Sequence, residues 1–577
     1  MKVRSFYKIL FLLLVVLTIY FPAISGEVNT VDDVHIINAY GINGHRTLKD
    51  IFLPASQFYF RPIIELTYFA DNLLWGLDAS FMHLENIVFH AVNVLLVFCV
   101  ATRVSAMAGG VPALPLLSSL LFALHPVNTE SVSWIAGRTD PLAASFILGA
   151  ILLLLTGIQS ARATSVIASV ALMLLSFFVK ETSLMLLPVS LMMVASLQPK
   201  TSTTACKQSD FGKRIIWTYA SVLALFTAFA AVRLFWKPAG SDNAFSMVIL
   251  KGYDLLEMLV MATKAMGFYL RKLLMPYPLN FAIDSLSDGY LLLGAVVPLL
   301  CIYLVYRREL VTSFILAGVL FIVPAAVVAA AGINWTLVAE RYLYIPTAFF
   351  SIGLSGILLR SVAQMKAERW VYPCLGLLAI PLAWTTFERN LLWRDNLALY
   401  GDTVKKSPGF GDIHNELGLA LLKKGDREAA AQHFALAEQL SKRPKIREFA
   451  RMNLLNVALQ GKTPYERRDL IRSYMEEHEE VSPDLVKMLR NTIQEILYTE
   501  KERDRRAQLM QEMIGLNNRL YRDLHDPLCL YNNGQMMLAL GNREAALQFL
   551  RQTVTMASPG VYYLASARKL LERLENH

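Results

Sequence analysis

Long apolar stretches constrain this chain more than any other feature of its sequence. They recur along two-thirds of its length, near 84–103, 111–125, 140–158, 164–180, 183–198, 214–235, 290–306, 311–331, 343–360 and 371–388. A helix needs roughly 17–25 such residues to cross a bilayer, fewer where it is buried in a bundle. With a first run from about Ile9 to Ile24, the pattern predicts about eleven spans. A polytopic helical bundle is the only architecture that satisfies so much apolar backbone without strands. Composition agrees: 55% of the 577 residues are hydrophobic and 18% charged, and mean hydropathy is +0.42. A soluble chain of this length carries more charge.

The net charge of +9 does not point to nucleic acid, because the basic residues form short clusters between apolar runs. Those clusters are Met1–Lys8, Gln198–Arg214 with Lys200, Lys207 and Lys213, then Tyr306-Arg307-Arg308 and Arg360–Arg369. All four fall on one side if the span count is right, and the positive-inside rule makes that side the cytoplasm. The N-terminus is then cytoplasmic and the C-terminal part extracytoplasmic. Ala23-Ile24-Ser25 also resembles a signal-peptidase site, but the many later spans favour an uncleaved first helix. Leu255–Met275 is apolar yet holds Glu257, Lys264, Arg271 and Lys272. A span there would reverse the Arg307-Arg308 loop, so it is expected as an amphipathic or re-entrant helix at the outer interface. The five cysteines, Cys99, Cys206, Cys301, Cys374 and Cys529, form no CxxC and no zinc spacing, and predict no disulfide framework.

From Glu388 the chain becomes charged, helix-forming and free of spans, which divides it into a membrane part, 1–388, and a soluble part, 389–577. The soluble part repeats a frame. Asn415-Glu416-Leu417-Gly418 followed by Gly425-Asp426-Arg427-Glu428-Ala429-Ala430 returns as Asn532-Asn533-Gly534 followed by Gly541-Asn542-Arg543-Glu544-Ala545-Ala546. Small residues at these positions let two antiparallel helices approach, and the second glycine marks the turn between them. Gly418, Gly425, Ala430, Phe434 and Ala437 fit the tetratricopeptide pattern, and the expected fold is a bundle followed by an α-solenoid that binds peptides or proteins.

Ionisable residues at membrane depth are costly and mark functional sites, and here they gather in the outer connections. The first holds Asp32-Asp33, Asn38, His45, Arg46 and Tyr59-Phe60-Arg61-Pro62. His83, Glu85, Asn86, His90 and Asn93 share one face of the second span. The next connection runs His125-Pro126-Val127-Asn128-Thr129-Glu130, Trp134 and Gly137-Arg138-Thr139-Asp140. Lys180-Glu181 follows, then Trp335 and Glu340-Arg341-Tyr342-Leu343-Tyr344.

Taken in order, these motifs resemble a known family. Asp32-Asp33, Tyr59-Phe60-Arg61-Pro62, the His-rich second helix, Leu121-Phe122-Ala123-Leu124-His125-Pro126-Val127 with Glu130, Gly137-Arg138-Thr139-Asp140, Lys180-Glu181, Glu340-Arg341-Tyr342-Leu343-Tyr344-Ile345-Pro346 and Arg389-Asn390-Leu391-Leu392-Trp393-Arg394-Asp395 are similar to the transmembrane and tetratricopeptide-repeat O-mannosyltransferases, within the wider GT-C class. The specificity lies in their order across the whole chain, and the short repeat array resembles prokaryotic members, which implies a bacterial inner membrane as the location.

The resemblance implies a GT-C-like fold and an inverting, polyprenyl-phosphate-dependent glycosyl transfer to a protein or glycan hydroxyl. The catalytic base would be Asp32 or Asp33. Arg61, Arg138, Lys180 and Arg341 would hold the donor phosphate, supported by His125, Glu130, Asp140, Glu181, Glu340 and Tyr342. The acceptor would be held by the repeat domain. No cofactor follows from any motif; a divalent metal at His83, His90 and His125 is weighed against ordinary polar packing. Each role also has a plain structural counterpart: a solvated helix start for Asp32-Asp33, an Arg341–Glu340 ion pair, a snorkelling Lys180-Glu181. Two other functions compete, a membrane scaffold for a protein-binding array and a lipid-linked glycan transporter. Few ionisable residues lie in mid-span, and the charges gather on one side, as a transferase needs.

Overall fold

Helix α4 (Ala79–Met107) organises the membrane part, because it buries both an apolar and a polar face. In the computed structural model, which describes residues 2–41, 46–52, 60–197, 215, 217–219, 221–222, 225, 254–332, 334–477 and 481–576, α4 packs against α1 (Lys2–Tyr20), α5 (Leu114–Ala123) and α6 (Thr139–Ser160). Its lower length contributes Val94, Val97, Ala101 and Val104 to the main core. Nearer its start, the polar residues that share one face turn inward and tie loops together. The Asn86 amide donates to the Trp134 carbonyl at 2.8 Å, Asn93 donates to the Pro141 carbonyl at 2.8 Å, and His90 Nδ1 lies 2.8 Å from the Tyr344 hydroxyl. Buried polar groups without partners are costly, so this face fixes the segment 125–141 against the bundle.

The longer helices described in the rest of this part are α2 (Asp33–Tyr40), α3 (Pro62–Trp75), α7 (Ala163–Phe177), α8 (Leu186–Ser196), α9 (Leu255–Leu274), α10 (Gly289–Arg307), α11 (Leu310–Ala331), α12 (Tyr344–Gln364), α13 (Val371–Leu392), α14 (Asn396–Lys406) and α15 (Gly411–Lys424). Among the described residues no strand forms; one isolated bridge joins Ile283 and Val338. The chain is a multi-pass integral membrane protein. Seven described helices are long and apolar enough to cross a membrane, and three more apolar helices, Leu114–Ala123, Ala163–Phe177 and Glu181–Ser196, are shorter. The expectation of about eleven spans counted those three as full crossings; at 10–17 residues each, their length by itself does not show a crossing. It also counted 214–235, most of which lies outside the described residues, as do the loop around Cys206, His45 and Tyr59.

Leu255–Leu274, expected as an amphipathic or re-entrant helix, is a single helix that is not among the described helices able to cross a membrane. α9 runs antiparallel along α10. A Cβ at Gly267 would strike the Tyr290 carbonyl, and one at Gly294 would strike the Thr263 carbonyl; only glycine admits backbones this close. Phe268 and Tyr290 meet edge to face at 5.6 Å. The charged residues of α9 are thus distributed along a packed helix, and Lys272 is turned inward and buried.

The chain divides into two compact units, Met1–Lys424 and Gly425–His577. The division does not fall at Glu388, where composition changes, because α14 and α15 belong to the first unit. The second unit is a run of helices, α16 (Arg427–Leu440), α17 (Pro444–Leu459), α18 (Pro464–Glu477), α19 (Pro483–Thr499), α20 (Arg503–Leu524), α21 (Pro527–Ala539), α22 (Arg543–Met556) and α23 (Leu564–Glu575), each packed on the next. Its sequence repeat has a structural counterpart in the helix starts. Gly425 and Gly541 both take left-handed backbone, φ +92° and +80°. The next residue caps a helix each time, Asp426 accepting the Ala429 N–H and Asn542 the Ala545 N–H, both at 3.1 Å. Between α21 and α22, a Cβ on Gly534 would lie 2.9 Å from Leu550 Cγ.

Candidate active site

The site is built at the end of the bundle where α1 gives way to the loop before α2. That loop carries two adjacent carboxylates with opposite environments. Asp33 opens α2 and is 1% exposed. One of its oxygens accepts the Asn29 N–H at 3.0 Å and the other the Ala136 N–H at 2.9 Å. Burial pushes its carboxyl up to about 7, against the pull of those two donors. Asp32 is exposed. Its carbonyl accepts the His35 and Ile36 N–H groups, while its carboxylate does not cap the helix and makes no ion pair among the described residues. The charge of Asp32 nevertheless acts on the Arg341 guanidinium, so the two share one region.

Arg341 is fixed by Glu130. Its Nη1 lies 2.6 Å from Glu130 Oε1, and its backbone N–H donates to Oε2 at 3.0 Å. Burial pushes the Glu130 carboxyl upward and Arg341 opposes that. The guanidinium lies 5.1 Å from the ring centroids of both Trp134 and Tyr342. Lys180 approaches the same Tyr342 ring, its Nζ 5.3 Å from the centroid, and pairs with Asp140 at 2.5 Å. One tyrosine therefore carries two cations on its ring, each held by an acid from the 125–141 segment. Such contacts are worth more where water is excluded.

Glu340 does not pair with its neighbour Arg341. It accepts from Lys272 Nζ at 2.5 Å and from the Asn280 N–H at 3.1 Å. Arg61 pairs with Glu181 at 2.6 Å. His125 Nε2 lies 3.1 Å from the Leu273 carbonyl, which makes Nε2 the protonated nitrogen; burial lowers its pKa to about 4 and keeps the ring neutral.

Arg138 stands apart from these. It is fully buried, and its guanidinium is spent on Asp71 at 2.5 Å, Glu85 at 2.9 Å, Asn86 Oδ1 at 3.1 Å and the Met82 carbonyl at 3.2 Å, with Tyr68 beneath it at 5.1 Å. The structure thus gathers Arg341, Lys180, Tyr342, Glu130 and Asp140, with Asp32 near enough to act electrostatically, and sets Arg138 in the interior. Among the described residues no three His, Cys, Asp or Glu side chains converge as metal ligands. His83 faces Gly26, His90 faces Tyr344, and His125 faces Leu273. Sequence reasoning missed Lys272, Asp71, Tyr400 and Glu416. Lys272 was hidden in a helix assigned to the interface, and the last two lie in helices read as part of the repeat array.

No family model matches the chain, and no solved structure matches it. Curated proteins do. A Caenorhabditis elegans protein O-mannosyl-transferase is 24% identical over 442 residues, 72% of this chain and 60% of that protein. The human protein O-mannosyl-transferase TMTC1 is 23% identical over 66% of this chain and 48% of its own length. Human TMTC4 is 26% identical over 65% and 57%. The chain is similar to the TMTC protein O-mannosyl-transferases. It spans about half to three-fifths of the length of these TMTC relatives, and the similarity reaches well beyond any one of the charged loops.

Proposed function

We propose that the chain is an inverting glycosyltransferase that moves a sugar, mannose by the names of its relatives, from a polyprenyl-phosphate donor to a Ser or Thr hydroxyl of a protein. The observation that carries this reading is the exposed Asp32 carboxylate, which makes no hydrogen bond or ion pair among the described residues and whose charge acts on the Arg341 guanidinium. A group with that freedom can take a proton; Asp33, with both oxygens committed to backbone N–H groups, is a scaffold. The acceptor hydroxyl gives its proton to Asp32 as its oxygen attacks the anomeric carbon. The bond from that carbon to the phosphate oxygen breaks, and polyprenyl phosphate leaves with the electron pair. Negative charge grows on the leaving phosphate, so fixed cations at headgroup depth stabilise the transition state. Arg341 and Lys180 are the pair best placed for this; Arg61 is a third candidate. We assign Arg138 to the scaffold, because it is fully buried and its guanidinium is occupied by Asp71, Glu85, Asn86 and the Met82 carbonyl.

The chemistry belongs on the outer face of a bacterial inner membrane, with the N-terminus cytoplasmic and the second unit, a tetratricopeptide-type array, presenting the acceptor polypeptide. A scaffold needs no free carboxylate among cations, and a transporter needs ionisable residues along its spans.

Mass spectrometry of exported proteins from cells with and without the gene tests the reading. Hexose on Ser or Thr should vanish on deletion, and the purified chain should transfer mannose from polyprenyl-phosphate mannose to the affected peptides. Unchanged glycosylation together with no transfer in the purified system would overturn it.

A further inference from the structure

The loop from Glu27 to Asp33 is tied down at nearly every residue, and most of the ties come from helices that follow the last candidate span. The Glu27 N–H donates to the Arg394 carbonyl at 3.1 Å, and Glu27 Oε2 accepts the Asn396 N–H at 3.2 Å. The Asn396 amide donates to the Val28 carbonyl at 2.8 Å. Tyr400, fully buried on α14, accepts the Thr30 N–H at 3.2 Å and donates toward Asn29 Oδ1 at 3.1 Å. The Thr30 hydroxyl lies 2.8 Å from Tyr400 and donates to Glu416 Oε2 of α15 at 2.5 Å. Glu416 is itself steadied by the Asn415 amide, 3.1 Å from Oε1. Asn29 closes the chain by donating its N–H to Asp33. One polar side chain in this tethered segment makes no hydrogen bond or ion pair among the described residues, and it belongs to Asp32.

We propose that Glu416 and Tyr400 are positioning residues for Asp32: through Thr30 and Asn29 they hold the loop so that the one uncommitted carboxylate meets the acceptor hydroxyl. This rests on the reading of Asp32 as the base. Two helices outside the spans therefore complete the active site, in addition to any part their neighbours have in binding protein. Neither residue touches the reacting atoms. Their effect comes from geometry, since a base displaced by about 1 Å loses up to roughly 10²-fold in rate. The donor cations sit on other loops, so donor affinity is independent of the tether.

Full-length Glu416→Ala, Glu416→Gln and Tyr400→Phe proteins, purified in detergent, provide the test. Tyr400→Phe keeps the ring beside Phe281, 6.2 Å between centroids, and removes only the hydroxyl, and Glu416→Gln keeps an oxygen that can accept from Thr30. Hydrogen exchange over the peptide 27–36 should quicken by roughly tenfold in Glu416→Ala and Tyr400→Phe, the effect of losing a hydrogen bond to a charged or buried group, and should return most of the way in Glu416→Gln. Transfer of mannose from polyprenyl-phosphate mannose to a Ser/Thr peptide should lose kcat by about 10- to 100-fold per folded molecule, with the donor KM unchanged. Exchange over 27–36 equal to wild type in both Glu416→Ala and Tyr400→Phe overturns the tether. Faster exchange with full kcat per folded molecule overturns the positioning role. A wild-type chain that transfers no mannose, while the exchange result holds, removes the proposed function and with it the catalytic meaning of the tether, but leaves the tether itself established.

Discussion

Arg341 is locked to Glu130, 211 positions away, and not to the glutamate that precedes it. The carboxylate grips both the backbone N–H and the guanidinium of one residue, so the last charged loop is fastened to the 125–141 segment. The remaining guanidinium edge lies between the Trp134 and Tyr342 rings. If this edge meets the donor phosphate, Arg341→Ala weakens binding of polyprenyl-phosphate mannose by about 10- to 100-fold, since hydrogen bonds to charged groups are worth ~1.5–3 kcal/mol. Arg341→Lys recovers part of it, a point charge replacing a fork. Equal donor binding by wild type and folded Arg341→Ala would remove this residue from the donor site.

The two adjacent aspartates should separate cleanly. Asp32→Asn keeps shape and exposure but cannot take a proton, and transfer should fall by about 10²–10⁴-fold with unchanged melting behaviour. Asp33→Asn should act mainly on the folded loop, with far less loss per folded molecule. The reverse ranking would exchange their roles.

Asp33 also predicts a pH dependence. Its folded value is about 7 against 3.8 for the ordinary group, so between those values the folded state keeps a proton that the unfolded state has released. The stability contributed by protonated Asp33 is complete below the unfolded value and is lost as pH rises through about 7. Asp33→Asn mimics the neutral acid and lacks this loss. The melting temperature of wild type relative to Asp33→Asn should therefore drop between pH 5 and pH 8. A difference independent of pH would show that burial does not hold the proton there.

Topology can be tested with reporters. A fusion after Trp393 should read as extracytoplasmic and one near Cys206 as cytoplasmic, as the basic connections require. A cytoplasmic signal after Trp393 would place the Asp32 end of the bundle on the wrong side for a donor presented at the outer leaflet.

The sequence by itself determined what depends on local pattern. Apolar runs mark helices such as Leu310–Ala331 because a backbone in lipid must satisfy its own hydrogen bonds. Counting by threes and fours put His83, Glu85, Asn86, His90 and Asn93 on one face of α4; four of them are buried there, while Glu85 is half-buried. The repeat of Gly425-Asp426 as Gly541-Asn542 located two capped helix starts. Tertiary structure alone decided which charges meet. Glu130 with Arg341, Asp140 with Lys180 and Glu340 with Lys272 join distant loops, and nothing in the spacing of Glu340-Arg341 says that each looks elsewhere for its partner. It also decided that Asp33 is committed while Asp32 is free, that Arg138 is interior, and that Tyr400 and Glu416 reach the loop of Asp32. Periodicity reports which way a residue faces along its own helix; the identity of the group across from it depends on how loops converge, and that is settled only when the helices pack.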